Sequence, residues 1–212
     1  MFDRITDDIR FAKANDPAAT STLTVLLTYP GLHAVWWYRL ANACHRRGFG
    51  RTAAVLAYLG RFLTGVEIHP GATVGDRLFI DHGMGTVVGE TAEIGDEVVM
   101  YHGVTLGGKS SDPVKRHPTV EDRALIGANA TLIGDITVGE GATVGAGAVV
   151  VEDVPPGTTV VGNPARPVAE HEATPADAVA SGPDTSGPDK DPSEIHPDCA
   201  PEVEPRWREV QS

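Results

Sequence analysis

Between residues 66 and 168 an aliphatic side chain returns at every sixth position. Ile68, Val74 and Ile80 are six apart; so are Ile94, Met100 and Leu106, and so are Val120, Ile126, Leu132, Val138, Val144 and Val150. A glycine follows the apolar position at Gly75, Gly95, Gly107, Gly127, Gly139 and Gly145. A repeat of six fits neither an α-helix, whose period is about 3.6, nor a two-faced strand, whose period is two. It fits a solenoid, in which each short unit packs only on its neighbours and the apolar residues line up in internal stacks. Three hexads close one triangular coil, with short strands on flat faces and small residues at the corners. Many of the 24 glycines fall in this stretch, where corners need permissive backbone. The repeat therefore predicts a parallel β-helix of about five coils.

The hexads are interrupted twice. Ile80 and Ile94 are fourteen residues apart, which places a two-residue insertion within His82-Gly83-Met84-Gly85-Thr86. Leu106 and Val120 are also fourteen apart, and the polar, basic stretch between them, from Gly108 to Pro118, does not keep the pattern. It should loop out of the solenoid, and loops on a rigid scaffold are where function tends to sit. Val161-Gly162-Asn163-Pro164-Ala165-Arg166 should close the stack.

Residues 1–65 read as a small α-helical region. Phe2, Ile5, Ile9 and Ala12 make a helical stripe. Asn15-Asp16-Pro17 should break it, with Asp16 capping a second helix near 18–27 and Pro17 at its first position. Tyr29-Pro30-Gly31 reads as a stop signal. Third and fourth helices are expected near 32–47 and 51–63, with Gly48-Phe49-Gly50 between them. Trp36-Trp37-Tyr38 reads as core or subunit-interface packing. From residue 169 to 212, Pro, Asp, Glu, Ser and Gly dominate, which predicts a disordered acidic tail.

The net charge of −12 disfavours a nucleic-acid partner, which needs a basic surface. The two cysteines, Cys44 and Cys199, fall in different regions and give no metal spacing or disulfide framework, and a reducing compartment is the easier reading. The charged start lacks the apolar run of a signal peptide. The run 23–43 is interrupted by Pro30, Gly31, His33 and Arg39, short of a membrane span. A cytoplasmic protein without membrane partners is expected.

Carboxylates and histidines gather where the hexads fail: Glu67, His69, Asp81, His82, His102, Arg116 and His117. A histidine beside a carboxylate makes a general base at neutral pH, because the carboxylate fixes the tautomer and stabilises the imidazolium. His82, in the Asp-His-Gly bulge, is the leading candidate. Two chemistries fit. One is acyl transfer to a hydroxyl or amine. The other is zinc-assisted hydration through three histidines, as in the gamma-class carbonic anhydrases, although no ligand spacing favours it. No G-x-S-x-G elbow is present, which argues against an acyl-enzyme, and no P-loop or dinucleotide fingerprint appears.

Glu67-Ile68-His69-Pro70-Gly71-Ala72, Ile80-Asp81-His82-Gly83-Met84-Gly85, Val88-Gly89-Glu90-Thr91, Gly103-Val104-Thr105-Leu106-Gly107-Gly108 and Lys115-Arg116-His117-Pro118 together resemble the serine O-acetyltransferases of the hexapeptide-repeat acyltransferases. Asn15-Asp16-Pro17-Ala18 and Gly31-Leu32-His33-Ala34 extend the resemblance over about residues 1–168. It implies a left-handed coil and acetyl transfer from acetyl-CoA to the hydroxyl of L-serine, giving O-acetylserine for cysteine synthesis, with acetyl-CoA as cosubstrate and no metal. His82 would be the general base and Glu67 its carboxylate partner, where many members carry Asp. Asp16 and Asp81 would hold the serine ammonium and Arg116 its carboxylate through a forked contact. His117 would sit beside the substrate and aid the tetrahedral intermediate. Gly107, Gly108, Ala128 and Ala146 would line the acetyl-CoA groove, and Lys109 and Lys115 read as solvated surface.

The family likeness also implies a homotrimer, with a dimer of trimers as the larger alternative. The short helical region leaves the two nearly balanced. The basic loop lacks the usual Thr-Gly-Lys after Gly107-Gly108. The sequence ends Glu209-Val210-Gln211-Ser212, without the C-terminal Ile by which many members dock to O-acetylserine sulfhydrylase, so that docking is expected to be weak or absent. A hexapeptide acyltransferase for another hydroxyl or amine is the alternative reading.

Overall fold

The computed structural model describes residues 2–168. The tail from residue 169, and with it the expected disorder and the sulfhydrylase expectation, lies outside the described residues. Four helices come first: α1 (Phe2–Asn15), α2 (Thr22–Thr28), α3 (Pro30–Arg46) and α4 (Gly50–Thr64). Two boundaries differ from the sequence reading. Asp16 does not cap α2, and Pro17 does not begin it. Asp16 Oδ1 instead accepts from the Ala18 N–H at 2.7 Å in a local turn, and the cap is Ser21, whose Oγ accepts from the Thr24 N–H at 3.0 Å. Tyr29-Pro30-Gly31 is not only a stop. Pro30 opens α3 at once, since its fixed φ suits the first helical turn and its missing N–H costs nothing there.

The rest is a parallel β-helix with three faces. The first face stacks β1 (Glu67–Ile68), β4 (Val87–Val88), β7 (Thr105–Gly107), β10 (Thr131–Ile133) and β13 (Val149–Val150). The second stacks β2 (Thr73–Val74), β5 (Glu93–Ile94), β8 (Thr119–Val120) and β11 (Thr137–Val138). The third stacks β3 (Phe79–Ile80), β6 (Val99–Met100), β9 (Leu125–Ile126), β12 (Thr143–Val144) and β14 (Thr159–Val161), and ends on β15 (Arg166–Pro167). That last strand runs antiparallel to β14 and closes the stack. The register aligns Ile68, Val88, Leu106, Leu132 and Val150 in one buried column, and Ile80, Met100, Ile126, Val144 and Val160 in another. Burying each such side chain is worth about 1.5–3 kcal/mol.

Corners are not always built from small residues. Between the second and third faces Arg77, Glu97 and Arg123 adopt φ of 59°, 59° and 57°. The left-handed turn recurs there whether or not a glycine is available, and charged residues accept it. The arginines meet carboxylates on neighbouring coils, as Arg77 Nε does at 3.0 Å from Glu97 Oε1.

The helices brace the first coil. Gly31 of α3 sits so close to β3 that an added Cβ would lie 1.9 Å from the Ile80 carbonyl oxygen. The Tyr38 hydroxyl donates to the Ala72 carbonyl at 2.6 Å. Asp8 of α1 is buried and accepts from Trp36 Nε1 at 2.9 Å and from both terminal nitrogens of Arg39, Nη2 at 3.0 Å. The Trp36-Trp37-Tyr38 cluster is thus packing, as read. No helix among the described residues is long and apolar enough to cross a membrane.

Candidate active site

The two-residue insertion forms the corner between the third and first faces. His82, Gly83 and Gly85 all have left-handed φ, of 58°, 77° and 80°. The same turn is made by Arg77, Glu97, Arg123 and Asn129 elsewhere in the coil, so at His82 it is a regular corner. It leaves the His82 side chain 74% exposed, with Nε2 3.6 Å from Asp81 Oδ2. His102, one coil higher on the same corner, meets the His82 ring edge-on at 5.9 Å, and its buried Nδ1 has no partner among the described residues.

Asp16 is brought to this corner from the α1–α2 connection. Tyr29 donates its hydroxyl to Asp16 Oδ2 at 2.5 Å and stacks on Phe79, two residues before Asp81. Burial, joined by the charge of Asp16, raises the pKa of Asp81 despite the opposing pull of His82. Tyr29 is pushed up to about 12 by burial, then by its hydrogen bond to Asp16 and the charges of Asp16 and Asp81. Tyr101 is raised by burial and the same two charges. Neither carboxylate has an Arg or Lys partner among the described residues. The charge of Asp16 thus disfavours ionisation of Asp81, an arrangement that a cation would relieve.

The corner between the first and second faces carries the opposite charge pattern. The loop 108–118 leaves the end of β7, as read, and folds back onto the turn between β4 and β5. Arg116 Nη2 pairs with Glu90 Oε2 at 2.9 Å, and its Nη1 donates to the Ser110 carbonyl at 3.3 Å. His117 is only 8% exposed, with Nδ1 2.9 Å from Thr91 Oγ1. Burial, then the adjacent Arg116 guanidinium, lowers the His117 pKa, and burial lowers that of His69 nearby. Lys115 is not simply solvated: its Nζ donates to the Thr91 carbonyl at 2.8 Å and lies 3.3 Å from Glu93 Oε1.

The remaining expected residues fall on both sides. The Glu67 carboxylate pairs with Arg61 of α4 at 2.9 Å, and no hydrogen bond or ion pair joins it to His82. Its backbone is stitched to the bulge all the same, through the Glu67 N–H to the Thr86 carbonyl at 2.9 Å. The side chain opens into a cleft of about 420 Å³ shared with His45, Tyr58, His69 and Glu90. Gly108 lies against His117, whose Nε2 would be 3.1 Å from an added Cβ, and Gly107 ends β7 on the same side. Ala128 and Ala146 lie on the His82 corner, two coils and three coils above it. The histidines also divide, His82 and His102 on one corner, His69 and His117 on the other.

Sequence reasoning missed Tyr29, Glu90 and Thr91 as parts of these clusters. Glu90-Thr91 stood within a recognisable motif, but their partners lie about 26 residues away in sequence. Nothing local marks Tyr29, whose role depends on where α3 docks.

Comparison with known proteins agrees with this architecture. The bacterial transferase hexapeptide (six repeats) family matches residues 117–151. The serine acetyltransferase of Bacillus subtilis (strain 168) is 52% identical over 171 residues, 81% of this chain and 79% of its own. Among solved structures, the Neisseria gonorrhoeae serine acetyltransferase in complex with serine superposes with a TM-score of 0.76 at 41% identity, over 79% of this chain and 68% of its own. The Brucella abortus (strain S19) serine acetyltransferase in complex with coenzyme A gives 0.76 at 39% identity, over 78% and 66%.

Proposed function

The chain belongs to the serine acetyltransferases, whose coil is a left-handed parallel β-helix, and from that membership we propose how its two corners share the reaction. The reaction is transfer of acetyl from acetyl-CoA to the hydroxyl of L-serine, which makes the protein an acyltransferase with acetyl-CoA as cosubstrate. The product, O-acetylserine, feeds cysteine synthesis.

The serine ammonium sits between Asp16 and Asp81, where it neutralises the carboxylates' mutual repulsion. The serine carboxylate is held by Arg116 through a charge-assisted contact. His82 removes the hydroxyl proton as the oxygen attacks the thioester carbonyl. His117 stands at the tetrahedral centre. As that centre collapses, the carbon–sulfur bond breaks and the departing sulfur takes the proton back from His82, giving O-acetylserine and CoA. Glu67, on the strand stitched to the bulge, steadies the imidazolium once it leaves Arg61. The pantetheine arm runs along the groove between adjacent protomers, lined by Gly107 and Gly108 of one and Ala128 and Ala146 of the next.

Arg116 and the aspartate pair occupy different corners of one prism, so a molecule as small as serine cannot reach both within one chain. The His82 corner of one protomer must meet the Arg116 loop of the next. A closed homotrimer supplies three such sites, and docking of two helical regions would give a dimer of trimers. The exposed apolar face of α4, where Val55 is 59% and Phe62 75% exposed, supports burial against another copy. A cytoplasmic location fits the supply of acetyl-CoA and free serine.

The single observation that carries the serine reading is the aspartate pair without an Arg or Lys partner among the described residues, with an arginine loop on a separate corner of the coil. A zwitterion needs both clamps; a sugar acceptor needs neither. The test is CoA release from acetyl-CoA with L-serine, homoserine or a galactoside as acceptor, with and without a chelator. Serine should be turned over fastest and the chelator should change nothing. His82→Ala should lower kcat by about 10²–10⁴-fold, the share of general-base catalysis. Turnover with the galactoside but not serine would favour the alternative acceptor, and loss on chelation would revive the zinc hydratase.

A further inference from the structure

Thr91, on the turn between β4 and β5, spends every polar atom on the loop that carries Arg116 and His117. Its Oγ1 accepts from the Arg116 N–H at 3.0 Å and from the His117 N–H at 3.2 Å. The same Oγ1 lies 2.9 Å from His117 Nδ1, and the Thr91 N–H donates to that Nδ1 at 3.2 Å. The Thr91 carbonyl accepts from Lys115 Nζ at 2.8 Å.

Counting donors and acceptors leaves one solution. A hydroxyl oxygen has two lone pairs and one proton. Both lone pairs of Thr91 Oγ1 are taken by backbone N–H groups, so its proton is the part left for Nδ1. The Thr91 N–H also points at Nδ1, and two donors aimed at one ring nitrogen exclude a proton there. We infer that Thr91 is a positioning residue that locks His117 as its neutral Nε2–H tautomer and so presents one N–H donor to the reacting centre. The inference rests on the placement of His117 beside the substrate proposed above.

The surroundings keep that donor in place and unclaimed. Nε2 has no protein partner among the described residues. An added Cβ at Gly89 would lie 2.1 Å from Nε2, so the ring occupies space that only a glycine leaves open. The charged groups facing the ring are Arg116, Glu90, His69 and Lys115. Three of them are basic and oppose protonation of His117, and Glu90 is already engaged with Arg116.

The consequence for the chemistry is specific. A neutral imidazole N–H is a poor proton source but a good hydrogen-bond donor, as other enzymes use it toward a developing oxyanion. His117 therefore stabilises the negative oxygen of the tetrahedral intermediate without giving up its proton. His82 alone carries the proton from the serine hydroxyl to the departing sulfur.

The test is the two-bond ¹H–¹⁵N spectrum of the His117 imidazole in the full chain at neutral pH, in the wild type, Thr91→Val and Thr91→Ser. The wild type should show a protonated Nε2 and a bare Nδ1, and Thr91→Ser should keep that pattern and near-normal kcat. Thr91→Val removes the Oγ1–H donor and the acceptor for two loop N–H groups while keeping the backbone N–H. It should therefore loosen the lock to a mixture of tautomers and lower kcat by about 10–100-fold, part of the 10²–10³-fold cost of losing an oxyanion donor outright. A bare Nε2 with protonated Nδ1 in the wild type would overturn the assignment, even if Thr91→Val fails to fold. So would a Thr91→Val protein that keeps both the tautomer and kcat. Full turnover by His117→Ala is a separate result: it would remove His117 from the site and sink the reading on which the inference rests.

Discussion

Asp81 carries the clearest conflict between folding and function. Its pKa is raised because burial and the charge of Asp16 both penalise the ionised form. The unfolded chain has no such penalty, so it releases its proton first as the pH climbs past the ordinary value near 3.8. The resulting loss of stability sets in above that value and persists once Asp81 itself has ionised. Asp81→Asn should therefore melt higher than the wild type at neutral pH without serine, with the difference vanishing in acid. The same variant should bind serine poorly and show a raised KM. Thermal melts across pH, read beside the kinetics, check both halves; an unchanged or lower melting point at neutrality would show that no repulsion is stored there. Asp81, His82, Arg116 and His117 were legible in the sequence because each sits where the hexads fail. Thr91 and Tyr29 were not, since ordinary residues gain a role only through partners that the fold brings from elsewhere.

At the level of elements, the position of the bulge depends on how tightly α3 meets β3. Gly31 lets the helix backbone approach the strand to a distance at which a Cβ would overlap the Ile80 carbonyl, and Ile80 is bonded directly to Asp81. Gly31→Ala should destabilise the protein by about 1–3 kcal/mol, the usual cost of overpacking. It should also depress kcat by displacing the Asp81-His82 corner. Denaturant unfolding with parallel kinetics measures this, and wild-type values in both would show that the close approach is slack. The hexads made the strands legible, because a period of six admits few alternatives, and the same count located both interruptions. The helices were harder at their ends. Asp16 followed by Pro17 has the composition of a helix start, yet Ser21 caps α2, because the Tyr29 hydroxyl claims Asp16 Oδ2. The Asp8–Arg39 pair that joins α1 to α3 gave no signal either, since its residues are 31 apart and each alone reads as surface.

For the whole molecule, the prism separates what the proposed mechanism must unite. The corner between the third and first faces holds Asp16, Asp81 and His82; the corner between the first and second holds Arg116 and His117. Stacking of the aliphatic columns in register fixes that separation. The sequence could name the residues of both corners, but only the winding of the chain shows that they point apart. The decisive measurement uses two inactive variants, His82→Ala and Arg116→Ala, co-expressed with different tags, so that mixed oligomers can be isolated and assayed for CoA release with acetyl-CoA and L-serine. If each site takes His82 from one protomer and Arg116 from the next, every isolated mixed trimer holds one intact site in three and should restore about a third of the wild-type turnover. Mixed oligomers as inactive as their parents, beside an active wild type, would contradict a site shared between chains.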